Sequence, residues 1–210
     1  MVHYISKLIQ EGEHQQLDFK FEIADAHKIA RTLVAFANAD GGRLLIGVND
    51  NGTLAGISSE EEFYMVEQAA KLYCNPPVAY SFKEWHIKKK TILEIIVRKS
   101  SLKPHFAQDH QGSWKSYHRV GDQNLIVSRI LLRVWKDEKK QQGVFIKFTD
   151  PEKFLLSYLE TNKSITLASF ASLAGISNRR AETILVKFIL LRMVRLEDEQ
   201  VGQVGQVGQV

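Results

Sequence analysis

Three carboxylates, Glu13, Asp18 and Asp50, fall within the first quarter of the chain, with the cations Lys20 and Arg43 between them. Residues of these types point to phosphate chemistry or phosphate binding. Carboxylates can hold a divalent cation that positions water or polarises a scissile phosphate, and lysine or arginine can contact the phosphate itself. Each residue also has a plainer reading. Glu13 fits a surface charge at a helix end. Asp18 fits a solvent-facing strand residue paired with Lys20, an arrangement worth at most about 1 kcal/mol. Asp50 fits a hairpin residue bonded to its own turn.

The elements that must position these groups are legible in the periodicity. Residues 3–10 read as a helix, and Gln16-Leu-Asp-Phe-Lys-Phe21 alternates like a half-buried strand. Ile29, Leu33, Val34 and Phe36 recur at helical spacing over residues 24–38, and Gly41-Gly42 ends that helix. Asn38 at its end is expected to orient the turn. Leu44-Leu-Ile-Gly-Val48 has the continuous apolar character of a central strand, and Asn51-Gly52 suits a type I′ hairpin. A helix over residues 59–73 is stopped by Pro76-Pro77, and strands are expected near 78–86 and 91–98. A strand over Trp114–Val120 and a helix over residues 124–136, with Leu125, Ile126 and Ile130 on its apolar side, complete this part.

Beyond a charged, Gln-rich linker, Asp150-Pro151 starts a helix with proline in its first turn. Thr166 starts a second helix, and Gly175-Ile-Ser177 separates it from a third, which Ser177 caps. Residues 192–197 read as a short strand or wing. Three short helices with a glycine turn between the last two match a helix-turn-helix. Asn178, Arg179 and Arg180 open its recognition helix, Lys187 lies a later turn on, and Glu182 on the same helix weakens the positive field. The Gln-Val-Gly repeat from Gln200 to Val210 has a period of three, which fits neither helix nor strand, and reads as a low-complexity extension.

Composition narrows the function classes. The 210 residues are 44% hydrophobic and 25% charged, with 28 Lys+Arg against 24 Asp+Glu and a net charge of +4. A mild excess of this kind does not by itself imply nucleic acid. Lys83, Lys88, Lys89, Lys90, Arg98, Lys99 and Lys103 nevertheless crowd a region with only Glu84 and Glu94, either as a solvated hairpin face or as a phosphate-tracking stripe. No window approaches the roughly 18 apolar residues of a spanning helix, so no membrane association and a cytoplasmic setting are expected. The single Cys74 reads as a small buried hydrophobe. His105, His110 and His118 lack a paired metal motif. Neither a Gly-x4-Gly-Lys-Ser/Thr nor a Gly-x-Gly-x-x-Gly element occurs, so nucleotide hydrolysis has no support in the residues.

The set Glu13-x4-Asp18-Phe-Lys20, Phe36-Ala-Asn-Ala-Asp-Gly-Gly42, Ile46-Gly-Val-Asn-Asp-Asn-Gly52, Lys103-Pro-His105 and Tyr117-His-Arg-Val-Gly121 resembles the Schlafen-type AlbA-like domain over about residues 8–135. The resemblance implies an α+β fold, an AlbA-like mixed sheet flanked by helices, here followed by a small winged helix-turn-helix. The expected division is an AlbA-like domain over 1–138, a linker over 139–149, the winged helix over 150–198 and the tail over 199–210. In the family the acidic positions fall on Glu13, Asp18 and Asp50 and serve a metal-dependent endoribonuclease in some members, which makes Mg²⁺ or Mn²⁺ the implied cofactor. Asp18 departs from the family's usual glutamate by one methylene. Lys103, His105 and Arg119 are implied to lie beside the acidic cluster.

Three function classes follow. The first is a bacterial-type DNA-binding transcriptional regulator, contacting DNA or RNA through Lys20, Arg43, Lys103, Arg119, Asn178, Arg179, Arg180 and Lys187, and homodimeric if it reads paired half-sites. The second is the metal-dependent endoribonuclease on structured RNA. The third is an ATP-binding protein, a label the family has carried.

Overall fold

The computed structural model describes residues 4–57, 61–140, 143–198 and 203–206. The chain divides into two compact units, Met1–Ile126 and Val127–Val210.

The N-terminal unit runs α1 (Tyr4–Glu11), β1 (Leu17–Lys20), α2 (Ala26–Asn38), β2 (Gly42–Ile46), α3 (Glu61–Leu72), β3 (Cys74–Asn75), β4 (Tyr80–Ile87), β5 (Lys90–Val97), β6 (Phe106–Gln108), β7 (Trp114–Lys115), β8 (Tyr117–Val120) and β9 (Gln123–Ile126). Its main sheet has the order β1-β2-β5-β4. β1 and β2 are parallel, as their connection through α2 requires, and the remaining pairs are antiparallel. β2 is covered on both faces, which is why Leu44, Leu45 and Ile46 follow one another in it. Leu44 and Ile46 join Leu33 and Phe36 of α2 and Val66 of α3 in one core. Leu45 joins Leu17, Phe19, Ile92 and Ile5 of α1 in the other. Cys74 is buried in the first core, where burial pushes its thiol up to about 12.

The Gly-Gly pair after α2 works by two mechanisms. Gly41 takes a φ of +77°, and a Cβ there would lie 2.7 Å from the Val97 carbonyl oxygen. Gly42 lies against the Phe36 ring, 2.4 Å from where its Cβ would be. The Asn51-Gly52 hairpin differs from expectation. Only Gly52 has a positive φ, because the Asn51 carboxamide accepts from the Thr53 backbone N–H at 3.0 Å and fixes a different turn. The two-residue turn with both central residues at positive φ is Lys88-Lys89, between Ile87 and its partner Lys90.

The C-terminal unit comprises α4 (Arg129–Glu138), α5 (Asp150–Thr161), β10 (Ser164–Ile165), α6 (Leu167–Leu173), α7 (Asn178–Leu190), β11 (Val194–Asp198) and β12 (Gln203–Gln206). The expected helix over 124–136 is thus divided. Leu125 and Ile126 belong to β9, paired with β8, and Ser128 caps a helix that starts at Arg129. Ile130 and Val134 of α4 pack with Leu155, Phe170, Leu185 and Phe188, so α4 belongs to the second unit. Helix starts follow their caps: the Glu152 carboxylate accepts from the Thr149 N–H before α5, Thr166 caps α6, and Ser177 caps α7. The tail reading needs correction, because Gln203–Gln206 forms the middle strand of a sheet ordered β10-β12-β11. Val204 is buried in the core, and Gly205 leaves room that a Cβ would deny to the Glu197 side chain and the Lys163 carbonyl. The rest of the repeat lies outside the described residues.

Candidate functional site

β1 is an edge strand whose Leu17 and Phe19 face α1, so Asp18 points to the opposite face of the sheet and is only 4% exposed. A buried carboxylate needs compensation, and two cations supply it. Lys20 Nζ lies 3.3 Å and Arg119 Nη2 3.6 Å from Asp18 Oδ1. Arg119 is 1% exposed, lies over the Phe36 ring at 5.2 Å, and donates to the carbonyls of His14 and Leu17 and to Asn124 Oδ1. It is therefore a buried organiser of this corner, which removes it from the set of surface nucleic-acid contacts.

Glu13 completes the corner. Its carboxylate accepts from the outward N–H of Phe19 at 2.8 Å, covering a donor of the sheet edge. Its carboxyl also shares a hydrogen bond with Asp18. Burial first, and the hydrogen bond to Asp18 second, push the Glu13 carboxyl up to about 7. Glu13 thus keeps its proton up to about 7, next to an Asp18 that one lysine and one arginine hold.

Asp50 is not part of this group. It lines an open depression of about 460 Å³ with Phe21, Asn49 and Asn51. Among the described residues, no three or more His, Cys, Asp or Glu side chains are placed to hold a metal ion. Asp18 already faces two cations, and Glu13 is engaged by Phe19 and Asp18. The donor set therefore does not fit the implied Mg²⁺ or Mn²⁺.

The remaining expected contacts disperse. Arg43 does not stand free, since its Nε pairs with Glu94 Oε1 at 3.1 Å. Glu94 is 1% exposed and also accepts from Tyr4 and from Trp85 Nε1 at 2.9 Å. Sequence reading passed over this network, although a lone glutamate inside Ile92-Leu-Glu-Ile-Ile-Val97 is its visible signal. His105 is buried away from the acidic pair, with its ring nitrogens on the Pro76 carbonyl and Ser100. Lys103 is half-buried. Asn38 does orient its surroundings, binding the backbone of His105 and Tyr117. In the basic hairpin, Lys90 bonds the Leu54 carbonyl and Lys99 pairs with Asp40 at 3.1 Å, leaving Lys83, Lys88, Lys89 and Arg98 exposed.

In the C-terminal unit, Asn178, Arg179 and Arg180 are exposed at the start of α7. Glu182 does not oppose them freely, because Arg129 and Arg133 of α4 hold its carboxylate at 3.4 and 3.5 Å. Lys187 is spent on the Phe145 carbonyl at 3.0 Å, where it pins the segment before α5.

The N-terminal unit thus defines a mixed-sheet α+β domain with a buried Asp18 and a half-buried Glu13 at its edge strand. The family model for Schlafen, AlbA_2 matches residues 13–128, and the chain belongs to that family. A search of curated proteins finds no match. Among solved structures, the DIP2311 protein from Corynebacterium diphtheriae is similar at 20% identity and a TM-score of 0.45, over 73% of this chain and 30% of that one. The N-terminal domain of a RecG-related protein from Nitrosomonas europaea is similar at 22% identity and a TM-score of 0.41, over 56% of this chain and 88% of that domain. The chain thus spans under a third of the length of the first of these. Among the described residues no helix is long and apolar enough to cross a membrane.

Proposed function

We propose that the chain binds nucleic acid, and specifically that it is a DNA-binding regulator whose C-terminal unit works as a winged helix-turn-helix. The observation that carries the reading is the start of α7. There Asn178, Arg179 and Arg180 are exposed, while the one acid on the following turn, Glu182, is neutralised by Arg129 and Arg133. Arginine and asparagine have the donor geometry that matches guanine and adenine edges in the major groove. The turn Gly175-Ile-Ser177 before α7, and β11 and β12 after it, are the parts such a module requires. Family membership is consistent with a nucleic-acid role for the N-terminal unit, in which the exposed hairpin residues Lys83, Lys88 and Lys89 are the available cations.

Fluorescence anisotropy with duplex DNA at low salt tests this. Arg179→Ala combined with Arg180→Ala is expected to weaken binding by about tenfold or more and to lower the log–log salt slope by about 2. Unchanged affinity in the double variant refutes the C-terminal reading. A matched RNA duplex separates the nucleic acids, and sedimentation with and without DNA reads the homodimer that paired half-sites require. The endoribonuclease alternative is not better supported: among the described residues Glu13, Asp18 and Asp50 do not form a group of ligands that could hold a metal ion.

A further inference from the structure

A second cavity, of about 170 Å³, opens in the N-terminal unit between the first turns of α2 and the segment carrying β6 and β7. It shares no lining residue with the acidic pair. Its charges follow a definite ledger. The Asp25 carboxylate accepts from the His27 backbone N–H at 2.9 Å and meets His110 Nε2 at 3.0 Å. Burial opposes its ionisation, but these bonds, led by that from His110, outweigh burial and hold it below the ordinary carboxylate range. Asp109 accepts from the backbone N–H groups of Gln111 and Ser113 and pairs with Lys115 at 2.9 Å. Asp109 is therefore paired with a cation, and Asp25 is held by His110 and a backbone N–H.

Lys28 and Arg31 remain. Both are exposed, and among the described residues neither has a carboxylate partner. The Arg31 guanidinium lies over the Tyr117 ring at 5.7 Å. Stacking of this kind fixes the plane of the fork and leaves its N–H edge for a bidentate acceptor. Behind the cations stands an aromatic wall, with His27 between Tyr73 at 4.0 Å and His110 at 4.3 Å. The His27 ring is locked by its Nδ1 contact to the Gln108 carbonyl at 2.8 Å.

We infer that this cavity binds a phosphomonoester: the terminal phosphate of a nucleic-acid strand or the phosphate of a free nucleotide. A phosphomonoester carries nearly two negative charges at neutral pH, which matches the two uncompensated cations. A cavity of this volume admits a phosphate and part of its sugar, not the run of a duplex backbone. The His27 and His110 rings that line the cavity offer ring contacts to the attached sugar or base.

The test uses the full chain and a labelled single-stranded DNA pentanucleotide bearing either a 5′-phosphate or a 5′-hydroxyl. The phosphorylated strand is expected to bind about tenfold tighter. Lys28→Ala with Arg31→Ala is expected to cut that preference below about twofold without changing the thermal melt, since both side chains are exposed. Equal affinity for the two strands, no detectable binding of the phosphorylated strand, or a preference that survives the double substitution each overturns the inference. Displacement by inorganic phosphate or a mononucleotide assigns the free species as the source; failure to displace assigns the strand end. The site stands independently of α7. The Arg179→Ala/Arg180→Ala protein is expected to keep the 5′-phosphate preference, so failure of either reading is seen separately.

Discussion

Glu13 is the residue whose surroundings most alter its chemistry. Its carboxyl has an ordinary value of 4.5 and is raised to about 7 in the fold, chiefly by burial. The folded protein therefore binds more protons than the unfolded chain between those values. By linkage, Glu13's contribution is full below about 4.5 and is lost as pH rises through about 7. Glu13→Gln keeps an acceptor for the Phe19 N–H and a donor toward Asp18 but cannot ionise. Thermal denaturation is expected to show the variant gaining on the wild type between pH 5 and pH 8, and parallel pH profiles for the two proteins would refute this. The presence of Glu13, Asp18 and Lys20 was plain in the sequence. Their partner Arg119 came only through the family resemblance, because a contact between residues so far apart in the chain leaves no local pattern.

Elements were legible where their signals were local. Thr166 and Ser177 sit one residue before the helices they cap, and the apolar spacing of α2 and α7 is strong. Reading failed where one pattern served two structures. Leu125 and Ile126 share helical spacing with Ile130, yet they lie on β9, with the break made by the Ser128 cap. That the strands turn at the lysine cluster was legible, but the positive φ of both Lys88 and Lys89 was not, because lysine carries no preference for it; pairing of the flanking strands imposes the conformation. At the Gly41-Gly42 turn the two glycines are expected to respond differently to substitution. In Gly42→Ala the new methyl meets Phe36, itself fully buried and unable to swing out. A loss of about 1–3 kcal/mol by chemical denaturation is expected from such overpacking, together with disturbance of the Arg119 contact to the same ring. A neutral result would mean that the ring shifts without cost. Gly41→Ala adds backbone strain at its φ of +77°.

On the scale of the whole chain, two units with separate cores carry separate candidate surfaces, basic at α7 and phosphate-sized beside α2. The family signature lay in the first unit and was readable as motifs. The candidate cavity beside α2 was not, since Asp25 and Arg31 of one helix meet His110 from a distant segment and none belongs to a motif. The strand β12 has a consequence for how the chain tolerates error. Gln203-Val-Gly-Gln206 is repeated identically at Gln200-Val-Gly-Gln203 and Gln206-Val-Gly-Gln209. Sliding the downstream copy into the sheet supplies the same valine to the core and the same glycine beside Glu197. The only change is a longer connection from β11, and doubling a loop costs only about 0.6 kcal/mol. Val204→Asp is therefore expected to be far milder in a thermal melt than Val194→Asp, which has no duplicate; equal losses would show that the strand is locked in one position. The repeat spells the core valine and its glycine more than once, so the tolerance expected at Val204 rests on redundancy and not on slack packing.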